Sequence, residues 1–340
     1  MENKIESIIA NILVINKNTP SKDKINNIIN QLHKSLNYNR ESISVANDID
    51  IKNSNGFKLD FSVIDQIFKN IEKETSYCGD VIYSEKNNEK KFVYGKYLSS
   101  KGTVLFINEG NTYVLLEMIL KNLISNNTLL INTSGYMYGV NNFLVGIIQT
   151  ILENNGYPKN QVQIYVSETS EEVLKHYTSL DLVVCIGNHN LQRFVQNHAK
   201  NELIVSGYEN FDIYLETDKY MDLINNIINQ NVPIQFYVNK NLNIDIENAI
   251  MVTDVEEAVA QINFNGSGYS TAIFTLNNDS ASYFMQNVKS KIITINTSPT
   301  IERICDINHS QLMCEKTIIY PLGNFSETLE FNLDELLKEN

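Results

Sequence analysis

The sequence reads as an α/β protein of two doubly wound lobes carrying a β-hairpin arm, and three observations support that reading. Short apolar runs alternate with helical patterns from Thr103 onward, the signature of a parallel sheet covered on both faces. A second alternating set begins at Phe211. Ahead of both, two strand-like runs flank a polar tip.

Residues 1–75 read as helices. Ile5, Ile8, Ile9, Ile12 and Leu13 recur at helical spacing. Thr19-Pro20-Ser21 resets the chain, and Ser21 is placed to cap a helix whose apolar stripe is Ile25, Ile28, Ile29 and Leu32. A third helical stretch, Phe61 to Ile71, puts Ile64, Ile67 and Phe68 on one face. Residues 77–102 change character: Asp80 to Tyr83 and Lys91 to Tyr94 flank Glu85 to Glu89, which predicts a hairpin with 85–89 as its tip.

The first alternating set has strands at Val104–Ile107, Leu129–Ile131, Val162–Val166, Leu182–Ile186 and Leu203–Val205, with helices at 112–124, 139–154, 170–177 and 189–199. The second has strands at Phe211–Leu215, Ile234–Val238, Ala249–Val252, Ala272–Thr275 and Ile292–Ile295. Its helices fall at 218–230, 254–262 and 278–288, and strand character returns at Thr317–Tyr320.

Bulk properties exclude several function classes. A net charge of −13 with a pI near 4.9 repels a phosphate backbone, so no nucleic-acid partner is expected. No apolar run approaches the roughly 18 residues that span a bilayer, and the N-terminus has no signal-peptide layout. Cys78, Cys185, Cys305 and Cys314 are scattered, which fits a reducing, cytoplasmic setting. His176, His189, His198 and His309 lack zinc spacing, so no metal site is expected. Glu171-Glu172 and Glu256-Glu257 fall in first helical turns, where acidic groups complement the helix dipole without any catalytic role.

The run from Glu256 through Asn265-Gly266-Ser267-Gly268-Tyr269 to Thr275 resembles the aldehyde dehydrogenase superfamily, in which a helix ends in Asn, turns on glycine and enters a strand. The Gly-Ser-Gly turn resembles that of the gamma-glutamyl phosphate reductases. That branch places His after the second glycine and Glu two positions on, where this chain has Tyr269 and Thr271. Lys291 to Ser298, Phe211 to Leu215, Asn127 to Asn132 and Asn155-Gly156-Tyr157-Pro158 are similar to further superfamily segments, in the same order along the chain.

The resemblance implies an aldehyde-dehydrogenase-like architecture with Rossmann-like lobes. It implies N-terminal helices and a cofactor-type domain over 1–205, with its arm at 77–102, a catalytic-type domain over 206–300, and a tail with an oligomerisation strand over 301–340. Superfamily chemistry needs a cysteine thiolate that attacks an aldehyde or acyl carbon. The resemblance places that thiol in the loop after helix 218–230, yet Asn231-Val232-Pro233 runs directly into the strand from Ile234 and holds no cysteine. A shortened nucleophile loop is therefore expected between Gln230 and Phe236.

Asn111 matches the superfamily asparagine that stabilises an oxyanion, and an Asn there also suits a helix cap. The relatives bind NAD or NADP beside segments matched here by Asn132, Thr133, Ser134, Gly187 and Asn188, and ordinary strand-to-helix turns account for the same residues. Three functions stay open. One is an oxidoreductase homologue that keeps the fold without thiol-dependent chemistry. Another is an active NAD(P)-dependent aldehyde or acyl-phosphate oxidoreductase using an unaligned cysteine. The last is a non-catalytic structural or regulatory partner. Each admits a small-molecule ligand and a homodimer formed through the arm.

Overall fold

The computed structural model describes residues 21–53, 58–87, 92–108, 111–133, 137–166, 174–187, 189–206, 211–228, 234–266, 268–299 and 307–321. Three helices lead: α1 (Lys22–Tyr38), α2 (Arg40–Asn53) and α3 (Phe61–Ile71). Ser21 caps α1 through its side chain, as its position in the sequence predicts. The helical stretch at Ile5–Leu13 lies outside the described residues. Helix α2 falls within the helical 1–75 stretch, but no apolar stripe in the sequence marks it as a separate helix. Its buried positions are Ile43, Asn47 and Asp50, so polar side chains interrupt the apolar stripe that would have revealed it.

The hairpin consists of β1 (Val81–Asn87) and β2 (Phe92–Ser100). Glu85 and Lys86 are strand residues paired with Tyr94 and Val93, so β1 runs on into the expected tip at 85–89. Alternation of polar side chains across a solvated ribbon explains that extension, because such a strand carries no apolar mark of its end. The C-terminal strand Met313–Pro321 pairs antiparallel with β2 and completes a three-stranded sheet.

The first lobe follows, with β3 (Thr103–Asn108), α4 (Thr112–Ile124), β4 (Thr128–Thr133), α5 (Tyr138–Asn154), β5 (Val162–Val166), β6 (Leu182–Ile186), α6 (His189–His198) and β7 (Glu202–Ser206). All five strands are parallel, in the order β5-β4-β3-β6-β7. Successive side chains point to opposite faces. Val104, Phe106, Leu129, Ile131, Leu182 and Val184 pack against the leading helices, α4 and α5. Leu105, Ile107, Leu130, Val183 and Cys185 face the α6 side instead. Every residue of α4 is buried, as expected of a helix apolar around most of its circumference.

The second lobe repeats the plan. Its elements are β8 (Phe211–Leu215), α7 (Met221–Ile228), β9 (Ile234–Asn239), β10 (Ile250–Val252), α8 (Val255–Asn265), β11 (Ser270–Phe274), α9 (Asn278–Asn287) and β12 (Ile292–Ile295). The order β10-β9-β8-β11-β12, again all parallel, matches that of the first sheet. Ile213, Leu215, Phe236 and Phe274 pack on α7, while Tyr214, Tyr237 and Ile273 pack on α8 and α9. The strand Met313–Pro321 is β13.

Candidate functional site

The carboxyl edge of the first sheet gathers most of the residues that the sequence singles out. The register aligns Asn108 of β3 with Thr133 of β4 and Ile186 of β6, and Ile107 with Asn132. The chain proceeds from β3 to β4 on one side and returns to β6 on the other, so the crevice beyond Asn108 is the topological switch point. Open α/β sheets take their ligands at such a point.

Asn111 opens α4 there. Its Oδ1 accepts from the backbone N–H of Tyr113 at 3.0 Å and of Val114 at 3.2 Å. Its own N–H donates to Asn108 Oδ1, and Asn108 Nδ2 donates back to the Asn111 carbonyl, both at 3.1 Å. The cap uses the amide oxygen, whereas an oxyanion contact would use the amide nitrogen. The two readings of Asn111 thus draw on different atoms.

Asn132 and Thr133 are buried at the end of β4, and Asn132 Nδ2 lies 3.5 Å from the Tyr165 carbonyl. Gly187 follows β6. Its N–H donates to the Ser206 carbonyl at 3.2 Å, and its carbonyl accepts from Gln192 Nε2 at 2.7 Å. Ser134 and Asn188 lie outside the described residues.

Sequence reasoning missed one group at this edge. The Asp50 carboxylate reaches from α2 to the start of α5, accepting from Gly139 N–H at 3.1 Å and Val140 N–H at 2.8 Å. A Cβ on Gly139 would stand 2.8 Å from Asp50 Oδ1, so the approach depends on glycine. One turn earlier, Asn47 sets Nδ2 3.5 Å from Met137 Sδ and accepts from Leu59 N–H at 2.8 Å through Oδ1. The only signal in the sequence is two polar residues three apart, which every solvated helix also shows.

These groups also test the fit of a dinucleotide. At the amino end of α5 the Gly139 and Val140 N–H groups already hold a carboxylate and are not open to a phosphate. Asn132, Thr133 and Gly187 are polar groups at the crevice, beside Asn108 and Asn111.

At the carboxyl edge of the second sheet, Glu216 accepts hydrogen bonds from the hydroxyls of Thr275 and Ser280. Thr275 N–H donates to Asn296 Oδ1 at 2.9 Å, with Asn296 left-handed at φ 55°. A cavity of about 240 Å³ lies beside them, lined by Thr275, Asn277, Asn278 and Asn296 among others. These polar groups largely satisfy one another.

At the opposite, amino edge of that sheet, Asp212 is buried 3.5 Å from the Tyr237 hydroxyl. Burial, reinforced by Asp212, pushes the Tyr237 phenol well above its ordinary value. Burial likewise pushes Tyr214 up to about 12. Both rings therefore stay neutral near pH 7.

No family model matches the chain. The gamma-glutamyl phosphate reductase of Dictyoglomus thermophilum is 24% identical over 249 residues, 67% of this chain and 59% of that protein. The chain thus spans about 59% of the length of the curated relative it matches. The gamma-glutamyl phosphate reductase structure from Thermotoga maritima superposes with a TM-score of 0.63 at 18% identity, covering 96% of this chain and 99% of that one. A glyceraldehyde-3-phosphate dehydrogenase from Methanocaldococcus jannaschii, complexed with NADP, gives a TM-score of 0.70 at 13% identity over 94% of each chain.

The chain has the aldehyde dehydrogenase superfamily fold and is similar to gamma-glutamyl phosphate reductase. Within this superfamily fold the expected nucleophile loop precedes β9, which begins at Ile234; residues 229–233 are outside the described residues. Cys185 lies within β6, fully buried among Leu105, Ile107 and Val183. Cys78 packs with Leu98 and Met313 beneath the arm. Cys314 is on β13, its thiol 3.7 Å from the Ser100 carbonyl. Cys305 lies outside the described residues. Among the described residues, no three or more His, Cys, Asp or Glu side chains gather as metal ligands would, and no helix is long and apolar enough to cross a membrane.

Proposed function

We propose that this chain is a gamma-glutamyl-phosphate-reductase-like oxidoreductase homologue that keeps a dinucleotide-facing crevice but has lost the thiol-dependent reaction. The observation that carries this reading is the sequence entering β9. Asn229-Gln230-Asn231-Val232-Pro233 contains no cysteine, and the chain has none between Cys185 and Cys305. Covalent catalysis on an acyl or aldehyde carbon needs a thiolate held at attack distance. Buried Cys185 and Cys78 have no path to a substrate, and Cys314 belongs to the arm sheet.

The crevice supplies the retained part. Asn132, Thr133 and Gly187, with Ser134 and Asn188 beside them in sequence, are the groups we assign to NAD or NADP, and Asn111 Nδ2 is the oxyanion-type donor. When bound, the dinucleotide supplies hydride chemistry; the chain's own residues hold and orient it. Residues 1–205 form the cofactor-type unit, 206–300 the catalytic-type unit and 301–340 the tail.

Incubation with NAD or NADP and a panel of aldehydes and acyl phosphates should leave nicotinamide absorbance unchanged, while either dinucleotide raises the unfolding temperature by linkage. Turnover that disappears in a Cys305→Ala variant would establish the active alternative instead. The arm favours a homodimer: Val81, Ile82 and Tyr83 are 66%, 45% and 45% exposed on the edge strand β1, and an edge with apolar side chains is a template for pairing.

A further inference from the structure

The Asp50 carboxylate stands where a helix end would otherwise meet a ligand. Helix α5 follows β4, the strand that ends in Asn132 and Thr133, so its amino end opens at the carboxyl edge of the first sheet. The exposed N–H groups of such an end attract anions. Here the anion is internal. Both Asp50 oxygens are engaged, one by Gly139 N–H and one by Val140 N–H, and the residue is 9% exposed.

The contact is built from both sides. Gly139 leaves room that a Cβ would fill at 2.8 Å from Oδ1. Asn47 lies one turn before Asp50 on the buried face of α2, and it touches Met137, the left-handed residue (φ 53°) that opens α5. A non-glycine residue held at positive φ is strained, so its surroundings must fix it. Two polar side chains of one helix thus grip the last residue before α5 and its first turn.

We propose that Asp50 is a positioning residue: it acts as a resident anion that keeps ligand phosphate off the amino end of α5 and, with Asn47, fixes the start of α5 beside the dinucleotide crevice. This rests on the reading above that the crevice takes a dinucleotide. A phosphate entering at α5 would face a fixed negative charge, and like-charge contact is costly where water is scarce. The dinucleotide phosphates must therefore lie away from α5, and the groups that meet the ligand from β4 depend on Asp50 for their placement.

The test uses the full chain and three variants: Asp50→Asn, Asp50→Ala and Gly139→Ala. The first asks whether inorganic phosphate raises the unfolding temperature above that in sodium chloride of equal ionic strength. The wild type should show no such rise. Asp50→Ala should unfold several degrees earlier, and phosphate or acetate should restore part of the loss by filling the vacated helix end.

The second readout is the affinity for NAD and NADP by calorimetry, with Lys121→Met, in the last turn of α4 and away from the Asn111 end, as a destabilised control. Asp50→Asn and Gly139→Ala should each weaken dinucleotide binding by about tenfold, as displaced positioning groups do, while the control leaves it unchanged. A purely structural cap would lower stability and leave affinity alone.

Unchanged affinity in Asp50→Asn, or a phosphate response in the wild type as large as in Asp50→Ala, would overturn the proposal. If Asp50→Ala does not fold, Asp50→Asn, which removes the charge, carries the phosphate measurement, and a response no larger than in the wild type would overturn the resident anion. If the wild type binds neither dinucleotide, the crevice reading fails and positioning fails with it, whereas the phosphate response still decides whether Asp50 is the resident anion.

Discussion

The Lys121 ammonium lies 2.6 Å from the Glu117 carboxylate one turn earlier on α4, with both side chains buried. Lys121 also donates to the Ile307 carbonyl at 2.7 Å, tying the segment before β13 to the central helix. Ser125 and Asn127 extend the connection by donating to the carbonyls of His309 and Leu312. Removing one member strands the other charge in the core. Lys121→Met should cost about 3–5 kcal/mol, and Lys121→Met with Glu117→Leu clearly less, because no buried charge is then left alone. Urea unfolding of the two variants checks this; equal losses would contradict it.

Asp65 joins α1 to α3. Its Oδ1 lies 2.7 Å from His33 Nε2 and its Oδ2 3.0 Å from the Arg40 guanidinium. The His33 hydrogen bond, opposed by desolvation and aided by Arg40, holds the carboxyl below its ordinary 3.8. A depressed carboxylate pKa contributes stability that is complete above the unfolded value and lost as pH falls through the folded one. Wild type should therefore melt above Asp65→Asn at pH 7, with the gap closing only below pH 3.8. A gap unchanged down to pH 2 would contradict the assignment.

Gly266 ends α8 with its N–H on the Ile262 carbonyl at 2.7 Å. An added Cβ would lie 2.5 Å from the Ile262 oxygen and 2.6 Å from Asp212 Oδ2. Gly266→Ala should cost about 1–3 kcal/mol through this overlap. The loss should persist in an Asp212→Asn background, because the backbone oxygen remains. Calorimetric melting of both proteins decides it.

Cys185 is fully buried in an apolar cluster. Cys185→Ser should destabilise by about 1–3 kcal/mol by burying a hydroxyl there. In native buffer, iodoacetamide should leave Cys185 and Cys78 unmodified, as mass spectrometry of the digested protein would show. Rapid alkylation of Cys185 would mean that the first sheet opens readily.

The dimer reading predicts that Val81→Glu with Tyr83→Glu, both on exposed β1 positions, reduces the mass measured by light scattering without lowering the melting temperature. A monomeric wild type, or a mass unchanged by the pair, would remove the arm from the interface.

The sequence by itself determined both parallel sheets, because their strands are apolar runs bounded by polar turns and their helices carry continuous apolar stripes. Leu182–Ile186, Phe211–Leu215 and Ile292–Ile295 fall where the apolar runs place them. It also determined that the segment before β9 has no thiol, since that is a matter of residue identity. The hairpin was legible as an element, but the end of β1 was not, because that strand is solvated along its length.

Tertiary structure alone decided what lies across the chain. It joined β13 to β2, with Ile318 opposite Gly95. It also brought Asp50 to Gly139, 89 positions away. A polar residue on a buried helix face breaks the periodicity by which a helix is recognised. Its reason for being there is a partner that only folding supplies.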